Sequence, residues 1–376
     1  MSTLPILPDE QHLKGRRVLL RLDLNVPVAG GAVVNDFRIL KALPTIDRLR
    51  LAGAKTIILS HIGRDPEASL EPVWKELNRH SPVRFIEDIF APDAANAVAG
   101  MQEGEVLLFE NLRRWPGEKE NDSAFSAHLA SFGDMYVNDA FAVSHRSDAS
   151  VAGLPALLPS FAGPWFMEEV KHLGMALDPP HPFLFVLGGA KFETKIPLLK
   201  KFLDIADHVF VAGALMNDFF KAKGYEIGQS VVSGEEYGLS AIMNHTALML
   251  PHDVTAEAPE GSMVKAADAI APGERIVDVG PESLRSLEEL ANRAKFILWN
   301  APLGDYEHGY RQSSESLART MAAGDAATVV GGGDTLAVIG NLGLDDRFTF
   351  ISTAGGAMLE FLHTGTLPGI EALRAK

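Results

Sequence analysis

The sequence predicts an α/β protein built on two mostly parallel sheets. Three observations lead there. Short aliphatic runs recur along the chain, and stretches with apolar residues at helical spacing separate them. The runs number about a dozen, more than one doubly wound sheet of common size holds. A proline-rich break falls near the middle of the chain, from Leu154 to Pro182.

In the first half the candidate strands are Arg17–Leu22, Lys55–Ser60, Val83–Ile86, Glu105–Phe109 and Met135–Asn138. In the second half they are Phe183–Leu187, His208–Ala212, Ala247–Leu250, Arg275–Val279, Lys295–Trp299, Ala327–Val330 and Arg347–Ser352. Most are continuously apolar rather than alternating, the pattern of strands covered on both faces by helices. Ile39–Ala52 and Ser283–Arg293 carry the i, i+3, i+4 spacing of such helices. Within the break, Pro155, Pro159, Pro164 and the cluster Pro179-Pro180-His181-Pro182 restrict the backbone and separate elements. A helix over Trp165–Leu177 reads as an interdomain helix. The expected domains are therefore 1–158 and 159–359, the second including that helix.

Composition narrows the function classes. The chain of 376 residues has 47% hydrophobic residues, enough for large cores, and a formal charge of −15, which disfavours nucleic acid or an anionic membrane as partner. It has no cysteine, which excludes disulfides, thiolate metal sites and cysteine nucleophiles. Met1-Ser2-Thr3-Leu4-Pro5 lacks the layout of a secretion signal, and no run reaches the roughly 20 apolar residues of a membrane span, so cytoplasmic residence is expected.

Ligands of open α/β sheets bind beyond the carboxyl ends of the strands. In the first half the segments leaving those ends are Asp23-Leu24-Asn25 followed by Arg38, His61-Ile62-Gly63-Arg64, Glu110-Asn111-Leu112-Arg113, and Asp139 followed by His145-Arg146. Four strand exits thus lead to an arginine on an acidic protein. Clustered guanidiniums repel unless an anion sits among them, and their planar forks suit phosphate or carboxylate oxygens. This half is expected to bind a small phosphorylated or carboxylated ligand. His61 and His145 lack the spacing and partners of a zinc site and read as hydrogen-bonding groups.

The second half carries three glycine-rich turns after apolar runs. Gly188-Gly189-Ala190-Lys191-Phe192-Glu193-Thr194-Lys195 puts two lysines four apart at a helix start, a strong phosphate site. Gly331-Gly332-Gly333-Asp334-Thr335 offers backbone N–H groups, a carboxylate for Mg²⁺ or for the helix cap, and a hydroxyl. Thr353-Ala354-Gly355-Gly356-Ala357 opens a helix with unpaired amides, where charge builds up in a transition state. There is no G-x-x-x-x-G-K-[ST] sequence, no protein-kinase motif set, no G-x-G-x-x-G after the first strand and no serine nucleophile elbow. One half for an anion and one for nucleotide phosphates suit direct phosphoryl transfer, with the halves closing to exclude water.

Seven strings resemble phosphoglycerate kinase, in that family's order and over nearly the whole chain. They are Arg21-Leu22-Asp23-Leu24-Asn25-Val26-Pro27, Ser60-His61-Ile62-Gly63-Arg64, Glu110-Asn111-Leu112-Arg113, Val137-Asn138-Asp139-Ala140-Phe141, Leu187–Lys195, Trp299-Asn300-Ala301-Pro302-Leu303-Gly304 and Gly331–Thr335. The resemblance implies two Rossmann-like three-layer domains joined by a hinge, with a C-terminal tail, 360–376, packing back on the N-terminal domain. It implies a monomer that transfers phosphoryl between ATP and 3-phosphoglycerate, with Mg²⁺. By the same resemblance Asp23, Asn25, Arg38, His61, Arg64, Arg113 and Arg146 bind the phosphoglycerate. Arg38, Lys191, Lys195, Gly355 and Gly356 serve the transferring group. Gly189, Ala190, Lys195, Gly213, Asn300, Leu303, Glu307, Gly332, Gly333, Asp334 and Thr335 hold the nucleotide, Asp334 through the metal.

Five positions depart from the family pattern. Thr194 stands where an aspartate is expected, Ala301 and Ala354 replace glycines, Asp148 replaces a histidine, and Ile276 replaces a glycine of the adenine pocket. A methyl at Ala301 narrows the nucleotide site, and one at Ala354 perturbs a tight turn if φ there is positive. The alternative reading they leave is a non-catalytic relative that binds metabolite or nucleotide as a sensor or scaffold.

Overall fold

A computed structural model describes residues 4–190, 192–234 and 237–375. Lys191 lies outside the described residues. The chain divides into two compact units: residues up to Lys171 together with those from Thr366, and His172–Gly365. The division runs through the helix Pro164–Met175.

The first unit is a parallel sheet of β1 (Arg17–Arg21), β2 (Lys55–Leu59), β3 (Arg84–Ile86), β4 (Val106–Phe109), β5 (Met135–Asn138) and β6 (Ser160–Ala162), in the order β3-β4-β2-β1-β5-β6. β1 is central: Leu20 pairs with Ile58 on one side and Val137 on the other. Its residues Val18 to Arg21 are all buried, as expected of a strand with a neighbour on each edge and helices on each face. The core joins Leu20, Ile39, Ile46, Ile58, Leu77 and Val137. The register brings the exits of β4, β2, β1 and β5 side by side along one edge of the sheet, and these are the four exits that carry the arginines.

The helix Pro368–Arg374 belongs to this unit. Leu367, Ile370 and Leu373 are buried, and the Gly369 N–H donates to the Ser144 carbonyl at 2.8 Å. A Cβ on Gly369 would lie 2.7 Å from the Ser144 side chain, so only glycine permits this approach.

The second unit holds another fully parallel sheet: β7 (Phe183–Leu187), β8 (His208–Val211), β9 (Leu248–Met249), β13 (Phe296–Asn300), β14 (Ala327–Gly331) and β15 (Phe350–Ser352), ordered β9-β8-β7-β13-β14-β15. Phe183, Phe185, Phe202 and Phe296 pack ring against ring, with centroids 4.9–5.9 Å apart. A smaller antiparallel sheet joins β10 (Asp253–Ala258), β11 (Gly261–Ala266) and β12 (Arg275–Val279) in the order β11-β10-β12. Of these three, the apolar runs predicted only β12. β11 is mostly exposed and has no continuous apolar face, so the pattern carries no signal for it. No helix among the described residues is long and apolar enough to cross a membrane.

Candidate functional site

The strand exits of the first unit are held by an internal polar scaffold. The Glu110 carboxylate accepts from the Leu70 N–H at 2.7 Å and from the Ser69 hydroxyl at 2.6 Å. Asn111 accepts from the Ile62 N–H and donates to the Ile62 and Ala68 carbonyls. These bonds clamp the loop that follows β2. Asn25 accepts from the Gly63 N–H at 2.9 Å, and Arg113 donates from Nη1 to the Gly63 carbonyl. Arg38 pairs with the Asp23 carboxylate at 2.8 Å and donates to the Asn25 carbonyl at 2.8 Å. Asp23, Asn25, Arg38 and Arg113 thus belong to one connected group around Gly63.

His61 sits at the centre of the charge. Its ring is buried, and Nδ1 lies 3.2 Å from Arg21 Nη2. A guanidinium has only donors, so Nδ1 accepts and the ring proton belongs on Nε2. Burial first, then the charges of Arg21, Arg146, Arg38 and His145, push the imidazole pKa down to about 2. The ring is neutral at physiological pH. Nε2 is buried and has no partner among the described residues, and the same holds for Arg113 Nε, Arg146 Nη1 and His145 Nδ1. An unpaired buried donor costs about 1–3 kcal/mol. Several such groups in one cluster mark a place where an oxygen-rich anion relieves the cost. Arg64 is exposed and no described contact ties it to the group.

Sequence reasoning assigned no role to the layer beneath. Arg21 is fully buried; it donates from Nε to the Ser150 hydroxyl at 2.8 Å and from Nη1 to the Leu22 carbonyl at 2.6 Å. Ser150 in turn donates to the Glu118 carboxylate at 2.5 Å, which also accepts the Ser150 N–H. Burial raises the pKa of Glu118, while Arg21 and the Ser150 hydroxyl oppose it. Asp148 is buried beside Arg21, Arg146 and His145; desolvation raises its pKa against their attraction. Glu118 and Ser150 are 32 residues apart in the chain, and neither stands in a local motif.

In the second unit, turns from neighbouring strand exits interlock. Gly189 and Gly213 have φ of 77° and 60°. A Cβ on Gly213 would fall 2.4 Å from the Gly189 nitrogen, and one on Gly189 would lie 2.6 Å from Lys195 Nζ. Lys195 is buried and donates to the Gly188 carbonyl. The Gly213 N–H donates to the Leu303 carbonyl at 2.9 Å. Asn300 donates to the Gly331 carbonyl at 3.0 Å, and the Ala301 N–H donates to the Thr335 hydroxyl at 2.9 Å. Thr335 is fully buried and bonded within the turn, whereas Asp334, one residue earlier in the helix Gly333–Leu342, is exposed.

A cavity of about 330 Å³ opens among these turns. Gly189, Ala190, Gly213, Leu303, Glu307 and Asp334 line it, as does Ile276. Lys195, Asn300, Gly332, Gly333, Thr335, Gly355 and Gly356 do not line it. Asn300, Gly332 and Thr335 form the framework behind the turns; Gly355 (φ 53°) precedes the helix Gly356–Thr364. Of the two alanines that replace glycines, the structure puts the positive φ at Ala301 (73°) and not at Ala354. The turn strain foreseen for Ala354 falls on Ala301 instead. A larger apolar groove of about 650 Å³ in the first unit, between Phe37–Leu51 and Pro164–Met175, carries none of the candidate residues.

Comparison with known proteins agrees with this geometry. A family profile described as "Phosphoglycerate kinase" matches residues 8–365. The phosphoglycerate kinase of Dictyoglomus turgidum is 39% identical, with 98% of each chain covered, and that of Mesorhizobium japonicum is 39% identical with full coverage of both. Among solved structures, the phosphoglycerate kinase of Coxiella burnetii superposes with a TM-score of 0.85 at 38% identity, covering 97% of this chain and 98% of that one. The enzyme of Pyrococcus horikoshii gives a TM-score of 0.85 at 30% identity, covering 96% of each.

Proposed function

The chain belongs to the phosphoglycerate kinase family, and on that premise we propose that it moves a phosphoryl group reversibly between ATP and 3-phosphoglycerate. In the forward direction the bond between the γ-phosphorus and the bridging oxygen of ADP breaks. A new bond forms between that phosphorus and a carboxylate oxygen of the acceptor, giving 1,3-bisphosphoglycerate. The observation that carries the reading is the set of buried, unpaired donors at the adjacent exits of the first sheet: His61 Nε2, Arg113 Nε and Arg146 Nη1.

The acceptor has a phosphate at one end and a carboxylate at the other, and such donors suit both. Asp23, Asn25, His61, Arg64, Arg113 and Arg146 hold it in the first unit. Arg38 reaches the transferring group, and release from Asp23 leaves its guanidinium for that role. Neutral His61 donates from Nε2 without adding a charge that would have to be balanced. In the second unit, Gly189, Ala190, Gly213, Leu303 and Glu307 receive the nucleotide, with Asn300, Gly332, Gly333 and Thr335 shaping the phosphate turns. Lys191 and Lys195 neutralise the moving phosphoryl, and Gly355 and Gly356 offer amides to it. The protein forms no covalent bond; it positions reactants and stabilises charge.

Asp334 is an exposed carboxylate on the cavity wall beside the phosphate turns, a donor that suits a hard cation shared with phosphate oxygens. Asp334 would hold Mg²⁺, which would supply positive charge beside the nucleotide phosphates. Small-molecule partners, a monomeric state and cytoplasmic residence complete the reading; the net charge of −15 disfavours nucleic acid or an anionic membrane as partner, and the absence of cysteine suits a reducing compartment.

A coupled assay with MgATP and 3-phosphoglycerate tests the proposal. Turnover that needs both substrates is expected. Binding of both without ADP formation would overturn it.

A further inference from the structure

We propose that the apolar groove of the first unit binds a small amphipathic anion, an apolar body carrying one carboxylate or sulfonate. The groove carries none of the residues assigned to either substrate.

The groove holds about 650 Å³ between the helices Phe37–Leu51 and Pro164–Met175. The first helix already gives one face to the core, where Ile39, Ala42, Ile46 and Leu49 are buried. Phe37, Leu40, Lys41, Pro44 and Arg48 recur at three- and four-residue spacing and run as a second stripe along the groove. Leu40 is 42% exposed, and Pro44 is exposed too. Trp165 and Met167 of the second helix line the same space, as does Ile6, which is 64% exposed. An apolar stripe beyond the one that the core uses, set in a concavity, marks a surface that takes an occupant. The volume suits a single small molecule.

Charge says which kind. Lys41 Nζ stands 5.2 Å from the centroid of the Phe37 ring and 5.1 Å from that of Trp165, so two rings hold the ammonium at the groove. It keeps its charge and its N–H donors for an oxyanion. Arg48, two turns on and about 10 Å further along the axis, is exposed on the same stripe. Neither cation forms an ion pair among the described residues. Glu168, the carboxylate among the described lining residues, pairs with Lys171 at 3.5 Å. On a protein of net charge −15, two cations without carboxylate partners beside exposed apolar surface complement an anionic head on an apolar body.

Anilinonaphthalene sulfonate, an aromatic body with a single sulfonate, is the probe. Its fluorescence is expected to report binding at one site per chain that persists with MgADP or 3-phosphoglycerate at saturation. Decanoate should displace it, and decylammonium, of equal chain length and opposite charge, should do so about fivefold less well. Lys41→Gln combined with Arg48→Gln should weaken the probe by about the same factor, and Leu40→Asp should weaken it as well. Displacement of the probe by either substrate would place it in a substrate site and overturn the proposal. Equal competition by decanoate and decylammonium would overturn it too, and this comparison needs no variant. Absence of binding to the folded wild-type protein would remove the site altogether.

Discussion

The Arg21 guanidinium meets His61 Nδ1 at 3.2 Å, and the imidazole within the arginine cluster is thereby a neutral donor. Two buried side chains settle a question of charge that the sequence around His61 leaves open. The folded-state pKa of about 2 lies below the ordinary value of 6.5. Between those values the unfolded chain binds a proton that the folded protein refuses. Stability contributed by this group is thus present above about pH 6.5 and declines as pH falls, by up to about 1.4 kcal/mol per pH unit. His61→Gln should flatten the loss of stability between pH 6 and 4, read from urea unfolding at each pH. Imidazole nitrogen NMR should show Nε2 protonated and Nδ1 bare throughout pH 5–8. A titration near pH 6.5 would contradict this.

Ser150 holds Arg21 in place, and Glu118 holds Ser150. Ser150→Ala removes the bridge and leaves a buried carboxylate short of a donor. A stability loss of about 2–4 kcal/mol is expected, from the unsatisfied buried groups. KM for 3-phosphoglycerate should rise while the affinity for MgADP stays unchanged, since the bridge lies wholly in the first unit. Equal effects on both ligands would mean a merely structural role.

Ala301 has a left-handed backbone (φ 73°), and its Cβ lies 3.0 Å from where a Cβ on Gly189 would sit. A side chain disfavours this conformation by roughly 1–2 kcal/mol, partly offset by the freedom glycine gains when unfolded. Ala301→Gly should therefore stabilise the protein by about 0.5–1 kcal/mol. Its melting temperature, compared with that of Ala354→Gly, checks the claim. Ala354 lacks a positive φ, so glycine there should bring no gain.

Lys195 is buried with its ammonium on the Gly188 carbonyl. If it neutralises the moving phosphoryl, Lys195→Met should lower kcat about a hundredfold or more and change the Kd for MgADP by only a few-fold. Steady-state kinetics beside titration calorimetry separate the two quantities. Unchanged kcat would remove Lys195 from the transfer.

Much of the fold was legible because its strands are continuously apolar. Phe183–Leu187 and Met135–Asn138 fall where the runs put them. The antiparallel pair Asp253–Ala258 and Gly261–Ala266 was not, since one strand faces solvent along most of its length. The arginine exits could be read because parallel topology gathers strand ends. The support beneath them could not: Arg21, Ser150 and Glu118 meet only through tertiary packing. Thr335 illustrates a second limit: its hydroxyl accepts from the Ala301 N–H, a bond across 34 residues that the string Gly331–Thr335 does not announce and that leaves the hydroxyl proton to donate.

The proposed chemistry requires a division of labour, acceptor on the first sheet and nucleotide on the second. Hydrogen–deuterium exchange, with each ligand added alone, tests that division. 3-Phosphoglycerate should protect amides around 23–25, 61–64, 111–114 and 144–147, and MgADP those around 188–190, 213–217 and 301–307. Protection of the same segments by both ligands, or of neither set by its own ligand, would contradict it.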